Sequence, residues 1–170
     1  VNPKFLLKRG KWYKEQDIKL KHGVNVTGIS ATSQNVTLSN GEQLEFDKLV
    51  LATGAVPRSL PTTDGMSNVY VLRQPDDAIS IRATARNVKS AVIIGGGYIG
   101  LEVAASLQKM GLEVSVVEMA DRLLARVASP PVAQLLNDLH AEHGVSIYTG
   151  VGVDKIIDSD GKFTGVTLAN

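Results

Sequence analysis

The stretch that decides the fold is residues 91–102, which read Ala-Val-Ile-Ile-Gly-Gly-Gly-Tyr-Ile-Gly-Leu-Glu. The four apolar residues at its start are typical of a strand buried on both faces. Gly95, Gly97 and Gly100 follow with the spacing G-x-G-x-x-G, and apolar side chains then recur at helical spacing up to Met110. A second apolar run, residues 112–117, comes next and ends at Glu118. This order predicts a βαβ unit, in which a helix connects two parallel strands.

The three glycines of this stretch suit a loop that holds the phosphates of a dinucleotide. Gly95 permits a tight turn, Gly97 lets the pyrophosphate approach the backbone, and Gly100 lets the helix pack closely on the strand. Free N–H groups at the start of the helix, around Tyr98 and Ile99, would bind the phosphates. The alternative is a glycine turn that only connects a strand to a helix. The flanking strand and helix, together with the acid that ends the second strand, favour the dinucleotide site.

The acid at the end of the second strand predicts which nucleotide is bound. Glu118 would accept hydrogen bonds from the ribose hydroxyls and would repel a 2′-phosphate. Met119 and Ala120 beside it carry no positive charge, so we predict NAD(H) over NADP(H). Arg122 and Arg126 are near enough in the sequence to weaken that prediction, although Arg126 could instead bind the phosphates of NAD.

Glu102 is the candidate catalytic residue. It lies two residues after the last glycine of the motif, in the predicted first turn of the helix. One interpretation is a carboxylate that stabilises the helix N-terminus through the helix dipole. The other places Glu102 beside the nicotinamide, where a polar group would orient the ring.

The rest of the chain alternates between strand and helix patterns. Asn40-Gly41, between alternating apolar residues, predicts a β-hairpin whose two turn residues both have positive φ. The apolar run at residues 49–52 predicts a strand buried on both faces. The remaining predicted elements are a helix at 75–88, a helix capped by Ser129 with an apolar face of Val132, Leu135, Leu136 and Leu139, a strand at 145–148 and a hairpin over 151–168.

Composition excludes several classes of function. The 170 residues contain 18 Lys+Arg and 17 Asp+Glu, so the net charge of +1 does not favour nucleic acid as a partner. The absence of cysteine excludes a dithiol, a thiolate metal site and a cysteine nucleophile within this chain. His140 and His143 are three residues apart, but no third ligand stands nearby, and we predict no metal site. No apolar stretch is long enough to span a membrane, and no signal segment is recognisable, so we expect a cytoplasmic protein.

The first residues of the chain lead to two further expectations. Residues 1–21 carry an excess of positive charge from lysines, Lys4 among them, and an arginine. Aromatic and aliphatic side chains interrupt this basic run. This pattern indicates a solvated face beside a partly buried stretch, and an acidic protein partner is the alternative. The chain begins with Val1 rather than Met, so we expect it to be an excerpt of a longer protein.

Three segments resemble one family. Residues 95–102 (GGGYIGLE), 118–126 (EMADRLLAR) and 129–145 (SPPVAQLLNDLHAEHGV) look like the NADH-binding domain of FAD-dependent ferredoxin and rubredoxin reductases. These enzymes belong to the wider pyridine nucleotide-disulfide oxidoreductase-like flavoproteins. Residues 49–58 (LVLATGAVPR) resemble the segment that lies against FAD in this family. The resemblance implies FAD contacts at Val26, Ala52, Thr53, Gly54 and Arg73.

The resemblance also implies a fold and a domain division. The expected fold is α/β, a Rossmann-like FAD/NAD(P)-binding parallel sheet with β-meander insertions, incomplete in this chain. Residues 1–74 would be part of an FAD-binding domain, and residues 75–170 would be most of an NAD-binding domain. This stretch by itself is expected to bind FAD poorly and to catalyse little.

The implied function is electron transfer from NADH through FAD to a ferredoxin- or rubredoxin-type acceptor. A sister enzyme, such as an NADH oxidase or a nitrite-reductase-type electron-entry subunit, is one alternative. A non-catalytic relative that resembles apoptosis-inducing factor is another. No C-x-x-C precedes the NAD strand, which sets the chain apart from thioredoxin-reductase-like members but does not exclude glutathione-reductase-like ones. The resemblance of the S-P-P-V helix favours the ferredoxin reductases.

Overall fold

A computed structural model describes residues 7–169 of the chain, apart from the side chain at position 61. Within it the backbone forms two compact units, one ending at Ala55 and the other beginning at Val56. Residues 56–74 therefore group with the second unit. The division into cofactor-binding domains between residues 74 and 75 stays a prediction.

The first unit contains one short helix and an antiparallel sheet. Its sheet has the strand order β1-β2-β3, and β2 contributes the buried side chains of Val36 and Leu38. The lysines and the arginine from Lys8 to Lys21 are exposed, as predicted for a solvated face, whereas Lys4 lies outside the described residues. The elements are α1 (Gly10–Glu15), β1 (Val26–Ser30), β2 (Asn35–Leu38) and β3 (Gln43–Glu45).

The predicted hairpin at Asn40-Gly41 is confirmed, with a different turn. Val36 lies opposite Leu44 in the β2–β3 pair, as the alternation requires. Only Gly41 has a positive φ, at 84°, so the prediction of positive φ at both turn residues was wrong. The Asn40 side chain instead accepts a hydrogen bond from the Glu42 N–H at 3.1 Å. This side-chain contact helps to close the turn, in which Gly41 alone adopts the left-handed backbone.

The prediction of a buried strand at residues 49–52 was wrong for this chain. The segment belongs to no strand of the described structure, and Val50 and Leu51 are 83% and 67% exposed. A strand buried on both faces needs a neighbouring strand and a covering layer. No strand among residues 7–169 pairs with this run, so its apolar side chains face solvent.

The second unit contains the predicted βαβ unit. Its parallel sheet has the order β4-β5-β6, with α3 connecting β4 to β5 and α4 preceding β6. Val114 and Val116 of β5 are buried beneath Leu101 and Ala104 of α3. The α/β fold with a Rossmann-like parallel sheet is confirmed. The elements are α2 (Pro75–Ala85), β4 (Ser90–Ile94), α3 (Tyr98–Lys109), β5 (Glu113–Glu118), α4 (Pro130–Glu142) and β6 (Val145–Thr149).

A hairpin of β7 (Val153–Ser159) and β8 (Lys162–Leu168) completes this unit. Asp160 and Gly161 both have positive φ, 52° and 71°, which matches the twist of a two-residue hairpin turn. The Asn68 side chain donates to the Phe163 carbonyl and accepts from the Phe163 N–H, both at 2.8 Å. These two bonds attach the segment before α2 to the hairpin.

Helix α4 buries a face that shares only Leu136 with the predicted one. Val132, Leu135 and Leu139 are exposed, whereas Ala133 is buried. Ala133 and Leu136 lie three residues apart on one helix face, so that face, rather than the one carrying Val132, Leu135 and Leu139, is turned inward. Ser129 occupies the predicted N-cap position, but its side chain makes no capping hydrogen bond. None of the described helices combines the length and the apolar character needed to cross a membrane.

Candidate dinucleotide site

The glycine loop at residues 95–100 leaves the carboxyl end of β4 and enters α3. Gly95 has a φ of +111°, a conformation that side chains rarely adopt. Its N–H donates to the Val117 carbonyl at 2.8 Å, which keeps the start of the loop on β5. The tight turn therefore requires a glycine at position 95.

Gly100 is where the helix and the strand approach each other. A β-carbon on Gly100 would lie 2.1 Å from the Gly95 carbonyl oxygen and 3.3 Å from Cγ2 of Ile93. A backbone oxygen cannot move aside as a flexible side chain can. The structure thus contains the close packing that the sequence predicted for Gly100.

Gly97 faces open space. It is the N-cap residue of α3, and a β-carbon at this position would have no atom within 4 Å. The first N–H groups of a helix have no partner within the helix, and here they belong to the exposed residues Tyr98 and Ile99. The outer side of the loop therefore offers free N–H donors and room for a ligand to approach the backbone.

Gly96 is a residue of this site that the sequence analysis did not single out. It is buried, and a β-carbon on it would lie 2.5 Å from Cδ2 of Leu123 and 3.1 Å from Cβ of Glu118. Its N–H donates to Oε2 of Glu118 at 2.7 Å. The run of three consecutive glycines was the available signal, since the motif itself leaves this position free.

Glu118 lies at the end of β5, half-buried beside the glycine loop. Its Oε2 accepts the hydrogen bond from Gly96, and its Oε1 accepts one from the Ala120 N–H at 2.8 Å. A carboxylate has about four lone-pair sites, so two backbone donors leave acceptor capacity for ribose hydroxyls. The two bonds also hold the carboxylate in a single orientation.

The two arginines after β5 have different surroundings. Arg122 is half-buried and donates from Nη1 to the Ala128 carbonyl at 3.0 Å and from Nη2 to the Ala125 carbonyl at 2.8 Å. Arg126 is exposed. Of the two, Arg126 is thus the one whose side chain is free to reach a phosphate.

Glu102 is exposed, but it does not lie in the first turn of α3. The helix begins at Tyr98, so Glu102 is its fifth residue, and the first turn contains no acidic residue. The predicted position in the first turn was wrong because the helix starts inside the glycine motif rather than after it. Interaction with the helix dipole falls off beyond the first turn, which weakens the purely structural explanation of this carboxylate.

The residues implied in FAD binding are exposed and belong to both units. Val26 is at the start of β1, and Ala52, Thr53 and Gly54 lie in a stretch without helix or strand, with Gly54 at a φ of +78°. Arg73 is in the second unit, directly before α2. The structure therefore brings Glu118 to the loop that carries the predicted glycines, and it divides the predicted FAD residues between two units.

Two further polar features of the second unit have structural partners. Asp77 accepts hydrogen bonds from the N–H groups of Gln74 and Arg73, and these bonds hold the pKa of its carboxyl below the usual range. Nδ1 of His140 and of His143 lies 2.8 Å from the carbonyl four residues earlier in α4. Among residues 7–169, no group of three or more histidine, aspartate or glutamate side chains could hold a metal ion.

A family profile described as pyridine nucleotide-disulphide oxidoreductase matches residues 5–170. The chain belongs to the pyridine nucleotide-disulphide oxidoreductase family. The match includes both the glycine loop and the segment with the implied FAD residues.

Relatives within this family are ferredoxin reductases. Putidaredoxin reductase of Pseudomonas putida is 45% identical over 145 residues, which cover 83% of this chain and 34% of the relative. A crystal structure of a ferredoxin reductase from Rhodopseudomonas palustris has a TM-score of 0.90 and 34% identity, covering 99% of this chain and 42% of that one. The reductase in a covalent putidaredoxin reductase–putidaredoxin complex has a TM-score of 0.86 and 40% identity, with coverage of 99% and 42%. The resemblance to ferredoxin reductases is thus confirmed.

The chain spans less than half the length of these family members, between 34% and 42%.

Proposed function

We propose that the full-length protein is an NADH-dependent flavoprotein reductase that passes electrons to a ferredoxin-type protein. The observation that carries this proposal is the glycine loop between β4 and α3, with open space at Gly97 and a fixed carboxylate at Glu118. Membership of the pyridine nucleotide-disulphide oxidoreductase family supports the same conclusion.

The geometry fits a bound NADH. The free N–H groups at Tyr98 and Ile99 bind the pyrophosphate, since the positive end of the helix dipole favours an anion there. Arg126 supplies a cation for the phosphates, and Glu118 accepts hydrogen bonds from the ribose hydroxyls. Glu102 is our candidate for orienting the nicotinamide ring. Because the Arg122 guanidinium is occupied by two carbonyls, it is not available to a 2′-phosphate, which favours NADH over NADPH.

The FAD site is proposed at the exposed residues Val26, Ala52, Thr53, Gly54 and Arg73. The positive φ of Gly54 permits a bend where the apolar run ends, so the backbone can follow a cofactor surface closely. When bound, FAD accepts a hydride from the nicotinamide and releases single electrons. The residues of this chain bind and orient the two cofactors.

A ferredoxin-type acceptor is proposed from the relatives. Putidaredoxin reductase is named for its partner, and the structure of its covalent complex with putidaredoxin contains a chain similar to this one. A rubredoxin-type acceptor remains the second candidate. Both are iron–sulfur proteins that take one electron at a time, which suits a flavin donor.

The test is to purify the full-length protein and record its visible spectrum, where flavin absorbs at about 450 nm. Anaerobic NADH should bleach this band, and added oxidised ferredoxin should restore it. A protein without flavin absorbance contradicts the proposal, and so does a flavin that NADH does not reduce.

The same experiment separates the alternatives. Rapid reoxidation by O₂ without a protein acceptor would identify an oxidase. Bound cofactors without turnover would identify a non-catalytic relative. The cytoplasm stays our predicted compartment, and fractionation of cells that express the full-length protein tests it.

A further inference from the structure

The turn at residues 122–128, which we call the arginine turn, contains a strained residue. Leu124 has a φ of +51° although its side chain is bulky and only 3% exposed. A residue of this kind adopts the left-handed region only where its surroundings impose it. The contacts that impose this conformation on Leu124 therefore indicate which neighbouring residues the turn positions.

Arg122 closes the arginine turn. Its two terminal nitrogens donate to the carbonyls of Ala125 and Ala128, so the planar guanidinium spans the turn from one side to the other. The Leu124 carbonyl accepts hydrogen bonds from Val127 and Ala128 at 2.9 and 3.0 Å. A forked donor is suited to this task, because two divergent carbonyls need two N–H groups in fixed geometry.

The closed turn contacts the glycine loop at one residue, Gly96. The Leu124 N–H donates to the Gly96 carbonyl at 3.0 Å. The buried Leu123 side chain fills the space where a Gly96 side chain would lie. The Gly96 N–H in turn donates to Glu118. Three contacts thus fix the position of Gly96. Because the Gly96 N–H donates to Glu118, its fixed position also orients the Glu118 carboxylate.

We propose that Arg122 is a positioning residue of the nucleotide site, acting through the arginine turn and Gly96 on the Glu118 carboxylate. This inference rests on the proposed function, since it assigns Arg122 a part in NADH selection. Without the guanidinium, the strained Leu124 relaxes and its N–H leaves the Gly96 carbonyl. Gly96 then no longer aligns its own N–H with Glu118, and the carboxylate loses its fixed orientation.

The variants Arg122→Gln and Arg122→Lys of the full-length protein test the proposal. We expect the KM for NADH to rise on the order of tenfold in both, because small displacements of a binding group are costly. The kcat at saturating NADH should stay within about twofold, and the preference for NADH over NADPH should fall. Arg82→Gln is the matched control, since the Arg82 side chain is exposed in the last turn of α2.

The lysine variant separates positioning from direct binding. Lysine keeps the charge but cannot span two carbonyls, so a positioning role predicts that it behaves like glutamine. Recovery of the wild-type KM in Arg122→Lys would overturn the proposal, because charge alone would then suffice. An unchanged nucleotide preference in Arg122→Gln would overturn it as well.

Two controls keep the outcomes distinct. If NADH does not reduce the unmodified protein, the proposed function itself fails. If the unmodified protein is reduced but the Arg122 variants match it, only the positioning role fails. Flavin content and thermal unfolding are measured for every variant. Failure of both Arg122 variants to fold also overturns the proposal, because the arginine would then support the whole fold rather than the site.

Discussion

At the scale of single residues, the glycines of one loop have separate tasks. Gly95 provides a positive φ, and Gly100 allows contact between the helix and a backbone oxygen. Gly96 packs against Leu123, whereas Gly97 has free space around it. A methyl group added at each position therefore tests a different property of the loop.

Gly97→Ala should weaken NADH binding by about 1–3 kcal/mol while leaving the protein stable, since the methyl group meets the ligand rather than the protein. Titration of the full-length protein with NADH measures the affinity, and thermal unfolding measures the stability. The flavin spectrum should be largely unchanged.

Gly100→Ala is the matched comparison for this change. Its β-carbon would lie 2.1 Å from a backbone oxygen, so we expect loss of folding stability rather than a selective loss of affinity. NADH affinity that is unchanged in Gly97→Ala would indicate a loop that only connects a strand to a helix.

At the scale of elements, the ends of helices are held by local contacts. Helix α2 begins with Pro75, and the Asp77 carboxylate accepts a hydrogen bond from the N–H of the N-cap residue Gln74 at 2.7 Å. Helix α4 also begins with a proline, yet Ser129 makes no side-chain cap. Because Asp77 is a titratable group at the start of α2, we expect the contribution of this cap to folding stability to depend on pH.

Asp77→Asn should lower stability at neutral pH but not at strongly acidic pH. The folded-state pKa of Asp77 is lowered chiefly by the Gln74 N–H and next by the Arg73 N–H. The carboxylate therefore stabilises the fold above its unfolded pKa of about 3.9, and this contribution is lost as the pH falls through the lower folded pKa. Denaturant unfolding of both proteins between about pH 7 and 2 measures the difference.

Asp76→Asn is the control for this measurement, because Asp76 lies in the same turn. A gap between wild type and Asp77→Asn that stays constant across the pH range would contradict the assignment.

At the scale of the whole molecule, burial is concentrated in the parallel sheet of the second unit. Val114, Val116 and Val145 are almost fully buried there. By contrast, residues 51–60 are all exposed and form no helix or strand. This contrast predicts that backbone amides are far better protected from hydrogen exchange in the parallel sheet than at residues 51–60.

Amide hydrogen exchange should be slowest in β4, β5 and β6 and fast at residues 49–60 when the 170-residue chain is measured alone. In the full-length protein, residues 49–52 should become protected, because their apolar run is typical of a strand buried on both faces. Fast exchange at 49–52 in both samples would show that this run does not form a strand in either.

Much of the second unit could be predicted from the sequence. The strand at β4, the glycine turn and α3 follow from changes of period and from glycine spacing, which are local properties of the chain. Residues 49–52 were mispredicted, and the apolar face of α4 was predicted only in part. Hydrophobic pattern alone does not say whether a partner surface is present, and the inward face of α4 carries Ala133 and Leu136.

The sequence by itself determined the βαβ unit, its glycine loop and the acid that follows it, because backbone freedom and periodicity are encoded in neighbouring residues. Only the tertiary structure decided how this site is held together. The bond from Gly96 to Glu118 joins residues 22 positions apart, and the arginine turn reaches Gly96 through the Leu124 N–H, 28 positions away. Such contacts depend on how strands are placed side by side, and no local pattern specifies that placement.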